Sequence, residues 1–160
     1  MNGLKYPRKI ERQILKLIIG SDERSHLTDF LIEELQKRGH EVHPIGTLNP
    51  DGSPEEHAQQ WAEVGKRVGE GVAKGIYQQG IACCWTGTGV SIAANKVPGV
   101  RAALCTDPAT AEGARKWNDA NVLALSLRLV SEQIAKEILE AWFSATFEES
   151  ERHNVAALES

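Results

Sequence analysis

Apolar and mixed runs alternate along this chain, and the period of each indicates what it builds. Ile14-Leu15-Lys16-Leu17-Ile18-Ile19 is apolar but for one lysine and stops at Gly20-Ser21-Asp22, which predicts a strand and the turn beyond it. Residues 28–38 follow with Phe30, Leu31 and Leu35 on the helical face that Leu27 begins. Gly39 ends that helix ahead of a second short strand, 41–45. The turn-rich stretch Asn49-Pro50-Asp51-Gly52-Ser53-Pro54 leads into a long polar helix over 55–74, weakened by its glycines. Residues 80–84 read as a third strand, 89–95 as a short helix, 100–105 as a fourth strand and 121–126 as a fifth. Asp107-Pro108 supplies an N-cap and a proline at the first helical position. Ser131 caps a last helix that turns Ile134, Ile138, Leu139 and Trp142 inward.

Strands apolar throughout, each followed by a helix, imply an α/β protein whose parallel sheet is covered on both faces. Ligands of such folds sit beyond the carboxyl ends of the strands. Ser21-Asp22, the loop after Ile45, residues 84–89 and Cys105-Thr106-Asp107 are therefore expected to face one another. Residues 1–12 read as an N-terminal extension, 13–160 as a single domain, and 145–160 as its polar tail.

Composition narrows the partners. A chain of 160 residues is one ordinary domain, burying roughly 70% of its unfolded surface. A formal charge of −4 and a pI near 5.8 argue against nucleic acid and anionic membranes as partners. Three cysteines, two of them adjacent, make neither a disulfide framework nor a zinc spacing, so no metal site is expected. Asp22 and Glu23 follow the first apolar run where a signal peptide would carry small residues, and no run approaches membrane-spanning length. The expectation is a soluble, cytoplasmic protein.

The chemistry gathers at Cys83-Cys84-Trp85-Thr86-Gly87-Thr88-Gly89, where a buried strand passes through a glycine turn into a helix. Such a turn lines up backbone N–H groups at a helix N-terminus, a pocket for an anion or a developing oxyanion. The same positive helix end favours thiolate at a cysteine beside it. A base next to an oxyanion cradle suits proton abstraction beside a carbonyl. Cys83 should point to the opposite face of the strand and belong to the core, as should Cys105.

Ser91-Ile92-Ala93-Ala94-Asn95-Lys96-Val97-Pro98-Gly99-Val100-Arg101-Ala102-Ala103-Leu104-Cys105 resembles the ribose-5-phosphate isomerase B family, which includes the galactose-6-phosphate isomerase subunits. So do Asn118-Asp119-Ala120-Asn121-Val122-Leu123-Ala124-Leu125, Gly20-Ser21-Asp22, Arg38-Gly39-His40-Glu41-Val42 and Arg152-His153, in one order over residues 14–154. The resemblance implies a doubly wound (Rossmann-like) α/β/α sandwich with a five-stranded parallel sheet. It implies a homodimer or dimer of dimers whose active sites are shared between subunits, and interconversion of an aldose and a ketose through an enediolate, without a cofactor. By the same resemblance Cys84 is the base, and residues 85–89 are the oxyanion turn, with Gly87, Thr88 and Gly89 touching substrate and Thr86 steadying the proton. Asp22 takes a sugar hydroxyl, and Asn118, Arg128, Arg152 and His153 contact substrate.

The chain departs from the family pattern at several of these places. Glu23 stands where the resemblance expects a phosphate-side histidine, Trp117 where it expects a ring-opening histidine, and Ala156 where it expects a second tail arginine. Val90 occupies the place of a glutamate base used by some members, which leaves Cys84 as the evident base, and Trp85 replaces a glycine. A phosphate is best held by several charge-assisted donors, and this chain loses two and gains a carboxylate. Trp85 and Trp117 add flat apolar surface that suits a sugar face. The expected substrate is thus a sugar phosphate or related sugar other than ribose 5-phosphate, and open-chain, unless His26 or His43 opens the ring. An unphosphorylated sugar or sugar acid, a non-catalytic sugar-binding relative, and a subunit needing a second chain stand as alternatives.

Plainer readings accompany these. Asp22 equally caps the first helix, Glu23 equally complements its dipole, and Asn118 and Asp119 equally end a helix. Trp61 reads equally as site wall or packing, and His40 and His57 read as solvent-side.

Overall fold

The computed structural model describes residues 13–49 and 60–159. Five parallel strands, β1 (Lys16–Ser21), β2 (Glu41–Gly46), β3 (Gln79–Cys84), β4 (Ala102–Leu104) and β5 (Val122–Ser126), lie in the order β2-β1-β3-β5-β4. They alternate with helices α1 (His26–Lys37), α2 (Trp61–Ala73), α3 (Thr88–Asn95), α4 (Pro108–Asn118) and α5 (Glu132–Ser144). A 3-10 turn (Glu149–Glu151) then leads into α6 (Arg152–Leu158). This is the doubly wound α/β/α sandwich expected from the pattern and the resemblance.

Alternation along each strand sorts the core into two layers. Leu17, Ile19, Ile81, Cys83, Leu123 and Leu125 pack under α1, α4 and α5. Ile18, Ala82, Cys84, Val122 and Ala124 pack under α2 and α3. The adjacent cysteines thus face opposite layers, and Cys83 and Cys105 belong wholly to the first. Burial pushes the Cys105 thiol up to about 12, and pushes that of Cys83 higher still.

Local chemistry sets the helix starts. Ser25 and Thr28 form a reciprocal capping box at α1: the Thr28 N–H donates to Ser25 Oγ (3.3 Å) and the Ser25 N–H to Thr28 Oγ1 (2.9 Å). Asp107 caps α4, accepting from the Thr110 N–H at 2.8 Å with Pro108 at the first position, and Ser131 caps α5. Strand four is shorter than the pattern suggested, because only Ala102–Leu104 find ladder partners on β5. The predicted helix over 55–74 is seen as Trp61–Ala73; its first residues and the turn at Pro50–Pro54 lie outside the described residues, as do residues 1–12 and His57.

One expectation is corrected. The polar tail is docked: the Glu148 N–H donates to the Lys116 carbonyl (2.8 Å), Lys116 pairs with Glu148 (3.2 Å), and α6 buries Val155. His40 is half-buried over Phe143, with ring centroids 4.6 Å apart, and its Nδ1 accepts the Leu15 N–H at 3.1 Å. The ring caps a strand-edge amide that the sheet leaves unpaired. Among the described residues, no helix is long and apolar enough to cross a membrane.

Candidate active site

Strand order locates the crevice. The chain runs from β1 outward to β2, then returns to place β3 on the other side of β1, so the winding direction reverses between β1 and β3. Ligands of open α/β sheets bind at such a switch point, beyond the carboxyl ends. Ser21 is in register with Cys83, and Cys84 with Ser126, so Asp22 and Cys84 end neighbouring strands and flank that crevice.

Cys84 closes β3 with 5% of its surface exposed. The turn after it is tied to β5: the Leu127 N–H donates to the Cys84 carbonyl (3.0 Å), the Arg128 N–H to that of Trp85 (3.1 Å), and Ser126 Oγ also donates to Trp85 (3.0 Å). Gly87 is the N-cap of α3 at φ +75°. A Cβ there would lie 2.6 Å from Leu104 Cδ1 and 2.9 Å from the Leu125 carbonyl carbon, so the turn admits only glycine. Hydrogen bonding within α3 starts with the Ser91 N–H to the Gly87 carbonyl, which leaves the N–H groups of Thr88, Gly89 and Val90 directed out of the helix end. No side chain among the described residues caps them. Thr86 and Thr88 face solvent with their hydroxyls 2.7 Å apart. Trp85 is 58% exposed beside them.

Asp22 does not cap α1, because Ser25 does. Its Oδ1 is buried without a hydrogen-bond partner among the described residues, and burial, reinforced by the Glu23 charge, raises its carboxyl above the usual range. An unsatisfied carboxylate oxygen at the switch point is ready to accept a hydroxyl. Glu23 is exposed, and its N–H meets Ser21 Oγ at 3.2 Å. Arg128 sits just past β5, exposed and with no ion pair among the described residues.

The remaining candidates lie at the opposite edge of the sheet. Helix α4 runs back from β4, so Trp117 and Asn118 at its end stand next to Asn121, whose carbonyl accepts the Gly80 N–H where the strands begin. Trp117 lies over Gly113, half exposed, and Asn118 is exposed. Asp119 takes the left-handed conformation at φ +46°. Arg101 holds it there, donating from Nε to its carbonyl (2.8 Å) and from Nη2 to its Oδ2 (3.3 Å), while Nη1 reaches Glu159 just past α6 (2.6 Å). Arg152 and His153 open that helix. The Arg152 guanidinium is engaged by Glu149 at 2.7 and 2.9 Å, which raises its basicity, and His153 Nδ1 contacts the Ser150 carbonyl. One chain therefore assembles Asp22, residues 84–89 and Arg128 at one edge, and Trp117, Asn118, Arg152 and His153 at the other.

Of the histidines proposed for ring opening, His26 stands at the carboxyl edge in the first turn of α1. His43 does not: it pairs with Ile18 within β2 and packs against Tyr77, 5.5 Å between centroids. The roles of Arg101 and Ser126 carry no local signal in the sequence, Ser126 being only the last residue of the fifth strand. A cavity of about 610 Å³ lined by Arg38, His40, Arg115 and Trp142 also lies at the amino edge, and includes none of the candidates.

Fold and crevice define an α/β protein that presents a buried thiol beside the N-terminus of α3 at its switch point. The family described as Ribose/Galactose Isomerase matches residues 17–157. The chain is 37% identical over 136 residues to D-erythrulose-4-phosphate isomerase of Pectobacterium atrosepticum, covering 84% of this chain and 86% of that protein. It is 39% identical over 118 residues to ribose-5-phosphate isomerase B of Escherichia coli, covering 74% and 75%. The solved ribose-5-phosphate isomerase B of Clostridium thermocellum superposes with a TM-score of 0.80 at 38% identity, covering 90% of this chain and 95% of that one. The chain belongs to the ribose/galactose isomerase family, whose members include sugar phosphate isomerases.

Proposed function

We propose that the protein is an aldose–ketose isomerase acting on a short, open-chain sugar phosphate, with Cys84 as base. The observation that carries the reaction type is Cys84 ending β3 immediately before the uncapped N-terminus of α3. The thiolate removes the proton from C2 of the aldose, and the electron pair moves through C1 onto the carbonyl oxygen, giving an enediolate. The N–H groups at the start of α3 stabilise that oxygen, the kind of preorganised contact that usually contributes most to such a barrier. The C2 hydroxyl proton passes to O1, a transfer steadied by the Thr86–Thr88 hydroxyl pair. The Cys84 thiol then returns its proton to C1, leaving the ketose. Asp22 accepts a substrate hydroxyl, and Arg128 meets the anionic end.

Trp117 favours the open-chain substrate, since it stands where the resemblance expects a ring-opening histidine. A tetrose esterified at O4 has no hydroxyl left to close a five-membered ring, so it needs no such group. The relative from Pectobacterium carries a four-carbon sugar phosphate in its name. Because the two groups of candidates stand at opposite edges of one chain, the complete site takes Asn118 and Arg152 from a second copy.

The test is deuterium exchange followed by NMR, with erythrulose 4-phosphate, ribose 5-phosphate, ribose and erythrose. Cys84-dependent exchange at the carbon beside the carbonyl, fastest with the four-carbon phosphate, is expected. Exchange that persists in Cys84→Ala overturns the assignment of the base. Faster exchange with ribose 5-phosphate overturns the substrate, and no exchange with any of the four sugars overturns the isomerase reading.

A further inference from the structure

We infer that Trp61 determines substrate length by walling the oxyanion turn, an inference that rests on the isomerase reading of the same site. Trp61 opens α2, an element from the other side of the switch point, yet its indole lies flat against Gly89. A Cβ built on Gly89 would meet Trp61 Cε3 at 2.7 Å and Cδ2 at 2.9 Å. Unlike Gly87, Gly89 has no left-handed backbone to explain its identity. Its missing side chain makes room for the indole, so Gly89 and Trp61 are a pair matched in size.

That contact has two consequences for the cradle. Gly89 is the second residue of α3, and its N–H is among those directed out of the helix end. An indole packed where a Gly89 side chain would stand keeps water from that side, and the N–H groups act more strongly on a developing charge in drier surroundings. The wall is also rigid: α2 packs closely on α3, where Gly65 approaches the Val90 carbonyl, and Val64 and Val68 are fully buried. Yet 47% of the indole remains exposed. It therefore presents a fixed apolar surface to whatever occupies the cradle. A substrate with its carbonyl oxygen on residues 86–89 has to carry its remaining carbons past this surface. A chain longer by one hydroxymethylene meets the indole and brings a hydroxyl group against a largely carbon surface.

Substitution at Trp61 tests this through a ratio. For wild type, Trp61→Phe and Trp61→Leu, kcat/KM is measured with erythrulose 4-phosphate and ribulose 5-phosphate. The five-carbon to four-carbon ratio is expected to rise about tenfold or more in Trp61→Leu, and less in Trp61→Phe, as one carbon's worth of space is restored. A uniform loss with both substrates, or an unchanged ratio, overturns the inference. The contact itself is tested by Gly89→Ala, expected to disable the wild-type background and to be tolerated in Trp61→Leu; equal effects in both backgrounds overturn it. If the wild type isomerises neither sugar, the isomerase reading fails, and the wall is tested by binding instead. Wild type must then prefer the four-carbon to the five-carbon aldonate phosphate and Trp61→Leu must lose that preference; equal binding of both by wild type overturns the inference.

Discussion

Cys84 and Asn118 belong to one chain but stand at opposite edges of its sheet, Cys84 where β3 ends and Asn118 where α4 delivers the chain to the start of β5. No side chain spans the length of a strand, so a site using both draws them from two copies.

Complementation tests that arrangement. Cys84→Ala and Asn118→Ala are each expected to be inactive as purified proteins. Mixed after unfolding and refolding together, they should regain about a quarter of wild-type activity, since half of random dimers are mixed and each holds one intact site. Activity that stays at zero after mixing would place both residues' contributions within one chain.

Gly87→Ala combines a left-handed backbone with contacts under 3 Å to Leu104 and to the Leu125 carbonyl carbon. We expect a loss of about 2–4 kcal/mol in chemical denaturation, with activity falling further than stability because the cradle N–H groups turn away. Gly39, also at positive φ but with open space around it, serves as the control. Alanine there should cost only about 1 kcal/mol.

Asp22 trades stability for its position. Its carboxyl is raised by burial, so the folded state binds a proton more readily than the unfolded chain does, and the fold loses stability as pH rises through the folded value. Asp22→Asn is expected to melt higher than wild type at pH 7, with the difference shrinking toward pH 4, while KM rises. Equal melting temperatures at both pH values would show that the buried carboxylate costs nothing.

Arg101 joins three segments: the left-handed turn at Asp119, the loop at Gly99 and the C-terminal helix through Glu159. Its side chain is 17% exposed. Arg101→Ala should destabilise the protein by about 2–3 kcal/mol. Amide exchange should quicken in α6 and near Asn118 and leave residues 84–89 unaffected; exchange that quickens evenly would deny it the role of local tie.

His40 makes the fold sensitive to acid. Burial, helped by the Arg38 charge, lowers its pKa below 6.5, and its neutral Nδ1 accepts the Leu15 N–H. The contribution is complete above the unfolded value and is lost as pH falls through the folded one. The urea midpoint should drop between pH 7 and 5 in wild type more than in His40→Gln; parallel curves would exclude His40.

Local pattern was enough for the strands, the Asp107 and Ser131 caps, the opposed faces of Cys83 and Cys84, and the strand–turn–helix at residues 80–95. Each depends on neighbours a few residues apart, and periodicity records those directly. A cysteine beside a glycine turn was legible for the same reason, while the roles of Cys84, Thr86 and Gly87 came from the family resemblance. Tertiary structure decided the rest. Asp22 is released from capping because Ser25 pairs with Thr28, and its buried oxygen follows from β1 and β3 lying side by side. His40 is half-buried because Phe143, from a distant part of the chain, packs against it. The polar tail is held to the domain by Lys116 on Glu148 and Arg101 on Glu159, on either side of α6. The division of the candidates between two edges depends on the direction in which α4 returns across the sheet. That direction is fixed by how layers pack, which no local run of residues records.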